Sequence, residues 1–191
     1  MEEVVNHMDG MMEYMFVTTG LGTAGIGAIL AVSLACIGSA KGISVGASQS
    51  AGILSEKPEL FGKLFILTSL PGTQGFYGLV AAILIATNSG IMAPVEAGQV
   101  EGGTIVGPLA GVALMFVGIG MGLAEWRSAA YQGNTCAACI NWTSKRPEDA
   151  GRALILPVLV ETYGVVALLA SILMIIWLTS GDLMIPAIPM P

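Results

Sequence analysis

Glu161 is the residue of this chain with the least room for an idle role. It is the only charged side chain between residues 153 and 178, set among Leu, Ile, Val, Ala and Met with a few small polar residues. A run of that length and character can cross a bilayer, which takes about 20 apolar residues. A bare carboxylate near its middle costs about 2.5–3.5 kcal/mol or more on insertion. The group therefore either takes a proton or holds a cation with help from neighbouring oxygens.

Position along the chain suggests which oxygens those are. Two antiparallel helices meet at equal distances from their shared turn. Counting from the turn at 144–149, and at about 1.5 Å per residue, Gln132 and Glu161 fall at nearly the same depth. The earlier stretch Leu70-Pro-Gly-Thr-Gln-Gly-Phe-Tyr-Gly78 brings Gln74 to a similar depth, with Thr73 beside it and Tyr77 one turn along. Pro71 has no N–H to donate, so the carbonyl of Leu67 loses its partner and the helix is locally disturbed. The set is a carboxylate, two amides, a hydroxyl and a loosened backbone. Oxygen donors without nitrogen or sulfur suit a hard cation, which favours Na⁺ over H⁺. The same amides also serve as partners of a protonated Glu, or as helix-to-helix hydrogen bonds.

Composition frames the elements that must position this set. The 191 residues are 54% hydrophobic and 10% charged, with mean hydropathy +0.80, against about 25% charged in soluble domains. The chain is an integral membrane protein with no room for a large soluble domain. A net charge of −6 spread over short ends gives no footing for nucleic acid. No secretory signal is expected, since Glu2, Glu3 and Asp9 stand where positive charge is needed. Cys136-Ala-Ala-Cys139 invites a zinc or redox reading, but four ligands are needed and the one His is distant His7. Both cysteines read as small residues on a helix face.

Four apolar segments follow a polar, Met-rich lead-in over 1–12. They run from about 13 to 54, 60 to 89, 105 to 141 and 151 to 180, separated by a turn at 55–59, a Gly/Pro loop at 90–104 and a turn at 144–149. The tail from Ile185 holds three prolines and cannot be helical. Gly20-Leu-Gly22-Thr-Ala-Gly25 matches a dinucleotide fingerprint in letters but lacks the strand that should precede it. Gly20, Gly22, Gly25 and Gly27 read instead as a close-packing surface, like Gly107, Gly111, Gly118, Gly120 and Gly122. The halves echo each other: Lys57-Pro-Glu with Arg146-Pro-Glu, Leu70-Pro71 with Leu156-Pro157, and Phe76-Tyr77-Gly78 with Thr162-Tyr163-Gly164. Both halves run the same way, so the repeat is parallel. The expected fold is all-α: four transmembrane helices in two tandem hairpins, 1–89 and 105–191, joined by an extracytoplasmic loop at 90–104. Six of the seven basic residues flank the hairpin turns, which places those turns in the cytoplasm and both termini on the opposite side.

These marks resemble the proteolipid rotor-ring subunit (K or c) of V-type and archaeal-type rotary ATPases, in its duplicated four-helix form. The resemblance covers nearly the whole chain. It rests on Gly38-Ser-Ala-Lys-Gly42, Pro58-Glu59, the LPGTQGFYG of 70–78, the YQG of 131–133 and the VETYG of 160–164. In the Na⁺-transporting members it implies an ion held by the Leu70 carbonyl, Thr73, Gln74, Gln132 and Glu161, with Tyr77 hydrogen-bonded to the Glu and Pro71 shaping the motif. It further implies a ring of identical subunits in the lipid bilayer, with the first and third helices inside. Expected partners are a stator membrane subunit with an essential Arg and a central-stalk subunit on the cytoplasmic face. The subunit itself has no catalysis: no phosphate-binding loop is present, and it serves ATP-coupled Na⁺ (or H⁺) transport.

Three features depart from the family pattern: the long loop at 90–104, the Pro-rich tail, and Glu125-Trp-Arg127 in the third segment. Residues two apart do not face each other on a helix. Glu125 is therefore expected to pair with an Arg across a contact between subunits rather than to carry the ion. The alternative reading is a small multidrug-type exporter, which also has four helices and one membrane Glu. It leaves the Gly-rich duplicated hairpins unexplained.

Overall fold

The structure is a computed structural model that describes residues 2–92 and 103–186. The 90–104 loop and the Pro-rich tail therefore lie largely outside the described residues. The chain opens with helix α1 (Glu2–Glu13), whose described side chains from Val4 on are mostly exposed. A single wide turn follows (Tyr14–Thr18), and α2 (Leu21–Leu54) begins after it. The single helix expected from about 13 to 54 is thus broken, and the break falls at Thr19. The N–H and Oγ1 of Thr19 both donate to the Tyr14 carbonyl, at 2.9 and 2.7 Å. Thr19 is extended there (φ −124, ψ 169), and its Oγ1 accepts the Leu21 N–H at 3.4 Å. Thr19 closes one turn and supplies an oxygen to the first orphan N–H groups of the next helix.

The two turns repeat in geometry as they do in sequence. Lys57 and Arg146 both precede proline and both leave the helical region, with φ/ψ of −133/68 and −137/79. The clash of a proline ring with the preceding residue has that effect. Each is followed by one 3₁₀ turn with proline at its start, Pro58–Leu60 and Pro147–Asp149. Beyond them the hairpins diverge. The first continues as α3 (Phe61–Ser69), a 3₁₀ turn at Leu70–Gly72, and α4 (Thr73–Asn88). After strand β1 (Thr104–Val106) and α5 (Pro108–Lys145), the second continues as α6 (Ala150–Ala153) and α7 (Ile155–Leu178), ending in strand β2 (Met184–Pro186). The stretch before the second proline is shorter, 4 residues in α6 against 9 in α3. That accounts for the slipped register of the echo. Pro71 tightens the backbone into a 3₁₀ turn, whereas Pro157 falls in the first turn of α7, where no helical N–H is lost.

Among the described residues, four spans are long and apolar enough to cross a membrane: Leu21–Leu54, Pro58–Asn88, Pro108–Lys145 and Pro147–Leu178. Within their most apolar windows, 44% and 39% of the first and third are buried, against 28% and 17% of the second and fourth. The Gly-rich first and third spans are thus the more buried within the chain. The compact units of the chain do not follow the two hairpins. Helices packed side by side find neighbours at equal depth, so each unit takes a piece of every span.

The first unit comprises Met1–Ala31, Val80–Gly120 and Ala170–Pro191. Here α2 and α5 approach backbone to backbone. A Cβ on Gly27 would lie 2.7 Å from the Leu114 carbonyl oxygen, and one on Gly118 would run into the backbone of Gly27. Gly20 meets Gly107 and Gly111 in the same way, whereas a Cβ on Gly25 or Gly120 meets no backbone. β1 pairs antiparallel with β2 (Thr104 with Pro186, Ile105 with Ile185, Val106 with Met184). The described ends of two departures from the family pattern thus pair with each other. Val106 also donates to the Ser89 carbonyl at 3.1 Å and accepts the Gly20 N–H at 2.8 Å.

The second unit comprises Val32–Leu79 and Met121–Leu169. Its turn end is closed by a core of Leu60, Leu64, Leu67, Cys139, Ile140 and Ala153. Lys57 and Lys63 donate across to the carbonyls of Ser144 and Pro147, at 2.7 and 2.9 Å. Arg146 and Arg152 each reach the buried Asp149 at 3.1 Å. Cys136 and Cys139 are buried free thiols, and Cys139 sits inside the apolar core.

Candidate ion-binding site

The residues selected by spacing converge in the second unit. α4 supplies Thr73, Gln74 and Tyr77; α5 supplies Gln132; α7 supplies Glu161. The Thr73 hydroxyl donates to the Leu70 carbonyl at 3.0 Å and lies 3.3 Å from Gln74 Oε1. Gln74 Nε2 donates to Gln132 Oε1 at 2.7 Å, and Gln132 Nε2 reaches Glu161 Oε2 at 3.4 Å. On the other side Tyr77 donates its phenol hydrogen to Glu161 Oε1 at 2.9 Å. A continuous polar path thus runs from the proline-shaped turn through two amides to the carboxylate. Gln74 and Gln132 are fully buried, while Glu161 is half-buried. The carboxylate stands at the rim of the set, with Thr162 and Tyr163 exposed beside it, and the amides stand behind it.

Local structure explains why these atoms are available. The 3₁₀ turn at Leu70–Gly72 leaves the Leu70 carbonyl accepting from the N–H of Thr73 as well as its hydroxyl. The carbonyl is therefore turned toward the start of α4. Equal counting from the turn is one helical turn too coarse. The residue level with Gln132 is Pro157, whose carbonyl accepts Gln132 Nε2 at 3.1 Å, and Glu161 follows on the next turn. Ser128 joins the set without having been expected from the sequence. It sits one turn from Gln132 on the same face of α5, and its Oγ accepts Gln74 Nε2 at 3.5 Å. The i, i+4 spacing to Gln132 is the signal that points to it.

The first hairpin carries no carboxylate at the corresponding place. In the echo of Phe76-Tyr77-Gly78 with Thr162-Tyr163-Gly164, the counterpart of Glu161 is Gly75. Its N–H donates to Ser39 Oγ at 2.8 Å, and a Cβ there would lie 3.2 Å from the same oxygen.

Glu125 does not behave as expected. It is completely enclosed within the single chain, so no neighbouring subunit reaches it as it stands. Its companion Arg127 is exposed and donates to the Tyr131 hydroxyl at 2.7 Å, with its guanidinium 5.1 Å from that ring's centre. The two do face different ways, but a partner for Glu125 across a subunit contact is excluded by its burial.

The family model for the C subunit of ATP synthase matches the chain twice, over residues 26–85 and 110–174, once in each hairpin. The chain is 35% identical to the V-type sodium ATPase subunit K of Enterococcus hirae over 170 residues, 87% of this chain and 99% of the relative. It is 34% identical to the A-type ATP synthase subunit K of Methanocaldococcus jannaschii over 147 residues, covering 77% of this chain and 60% of that one. A double match across both hairpins leaves no place for the exporter alternative. The chain belongs to the family of ATP synthase C subunits: it is a membrane-embedded proteolipid of the V- and A-type rotary ATPases, a non-catalytic, ion-translocating part that assembles with identical copies into the rotor ring.

Proposed function

We propose that this subunit carries Na⁺ at Glu161, held by the carbonyl of Leu70, the hydroxyl of Thr73, the amides of Gln74 and Gln132, and the carboxylate. The observation that carries the reading is the unbroken polar path from Leu70 through Thr73, Gln74 and Gln132 to Glu161, with Tyr77 on the far side. A proton needs only the carboxylate. Two fully buried amides held behind it supply oxygens that a hard cation uses, because turning either amide over exchanges its nitrogen for its oxygen. Similarity to a sodium ATPase subunit over most of the chain supports the same choice. Tyr77 orients the carboxylate and leaves its remaining oxygen positions for the ion.

Glu161 is open enough to exchange its ion sideways. In this reading the ion arrives through a stator membrane subunit, neutralises Glu161 and rides through lipid. It leaves beside the stator's essential Arg, which favours the bare carboxylate. The turns at 55–59 and 144–149 face the cytoplasm and meet the central stalk, while both termini and the 90–104 loop, between hairpins 1–89 and 105–191, face the other side. The basic residues at those turns support that orientation. The test is carbodiimide labelling of the purified ring. The reagent attacks the protonated acid, so Na⁺ should slow labelling at Glu161. Labelling indifferent to Na⁺ at every pH near neutrality would leave a proton as the carried ion.

A further inference from the structure

The third span encloses a second carboxylate that the ion path does not use. Both oxygens of Glu125 are buried, and neither has a hydrogen-bond partner among the described residues. The side chain is 0% exposed. None of the ion pairs among the described residues includes it. Arg127 on the same helix is turned out to Tyr131, and Lys41 of α2 is exposed. The charge that acts on it from α7 is Glu161, of like sign. Tyr77 of α4 gives its hydrogen to Glu161 instead.

The place is built to hold this group. Glu125 lies level with Gly164, one turn beyond Glu161 on α7. A Cβ at Gly164 would come within 2.8 Å of Glu125 Oε2 and 3.3 Å of Ser128 Oγ. The missing methyl therefore leaves a notch flanked by a carboxylate oxygen and a hydroxyl oxygen. Ser128 is itself nine-tenths buried, at 8% exposed. A bare anion in such a place, beside a second anion, is strongly disfavoured unless a positive charge sits on it.

We propose that Glu125, with Ser128 and the notch at Gly164, is a second monovalent-cation site of each subunit, holding one positive charge of its own, Na⁺ or a proton. The inference rests on burial and on absent partners, and goes beyond the reading of Glu161 without depending on it. Glu161 stands at the rim and exchanges its ion; the charge on Glu125 is enclosed and stays with the subunit.

The test uses purified rings of the wild type, Glu125→Gln and Glu161→Gln in saturating Na⁺ near neutral pH. Two quantities are read: total Na⁺ per subunit, by elemental analysis at dialysis equilibrium so that enclosed and exchanging ions are both counted, and the infrared band of neutral glutamic acid in rings labelled with [¹³C]glutamate. If the second charge is Na⁺, the wild type binds two ions per subunit and each substitution removes one. If it is a proton, the wild type binds one Na⁺ and shows a neutral-acid band that Glu125→Gln abolishes and Glu161→Gln leaves. Should Glu125→Gln fail to assemble, the band that Glu161→Gln retains still decides, because the other glutamates whose burial is described, Glu13, Glu56, Glu59 and Glu148, are exposed. If Glu161 carries a proton, two neutral glutamates appear and Glu125→Gln removes one; the Na⁺ reading of Glu161 then fails and this one stands. The proposal is overturned if the wild type shows only one occupied carboxylate per subunit, by Na⁺ or by a neutral-acid band, and Glu161→Gln removes it.

Discussion

Tyr77 and Glu161 belong to different hairpins, and the phenol of one donates to the carboxylate of the other at 2.9 Å. The first hairpin thus fixes the orientation of the group on which the second depends. A hydrogen bond to a charged group contributes about 1.5–3 kcal/mol. Tyr77→Phe should therefore raise the Na⁺ concentration that half-protects Glu161 from carbodiimide by about tenfold or more. An unchanged midpoint would mean that the phenol only packs.

Glu161→Gln keeps the shape of the side chain and removes its charge. The ring should assemble, seen as an unchanged size in detergent, while ion transport and coupled ATPase activity of the complex are lost. Full transport by this variant would remove Glu161 from the centre of the account.

Gln132→Ala takes away one buried amide and leaves the carboxylate. Labelling at Glu161 should proceed, with protection shifted to higher Na⁺ on the order of tenfold, the low end of what loss of a supporting group does to metal affinity. K⁺ should protect much less than Na⁺.

Protection should also depend on pH, with a definite sign. Na⁺ needs the ionised carboxylate, and protons occupy more of it as pH falls. More Na⁺ should then be needed at lower pH, and less as pH rises. A midpoint independent of pH would show that the two ions do not share the group.

Gly118→Ala should destabilise the subunit by about 1–3 kcal/mol, the usual cost of overfilling a packed core, because the added methyl meets the backbone of Gly27. Thermal unfolding in detergent measures it. Gly120→Ala meets nothing within 4 Å among the described residues, so a loss it causes would point to a neighbouring copy in the ring.

Much of this is legible in the residues because depth in a helical hairpin is arithmetic. Equal counts from a turn bring Gln74, Gln132 and Glu161 together to within one helical turn, and the paired Lys-Pro-Glu and Arg-Pro-Glu motifs give matching turns. Two things are not legible. The break at Thr19 depends on one hydroxyl and one N–H closing on the Tyr14 carbonyl, which no apolar periodicity reveals. The direction in which Glu125 points depends on a notch at Gly164, thirty-nine residues away in sequence. Spacing shows that Glu125 and Arg127 part company, but not which of them turns inward.

Gly75 stands where the second hairpin has Glu161, and Ser39 crowds the place. If Glu161 carries the ion as proposed, four membrane helices share a single exchangeable carboxylate. In mechanical language the rotor is geared low in ion count. One revolution moves one ion per four helices, half what two equivalent hairpins would move, so each ion takes a larger share of the free energy of a turn. A motor geared in this way trades flux for the steepness of the gradient it can hold.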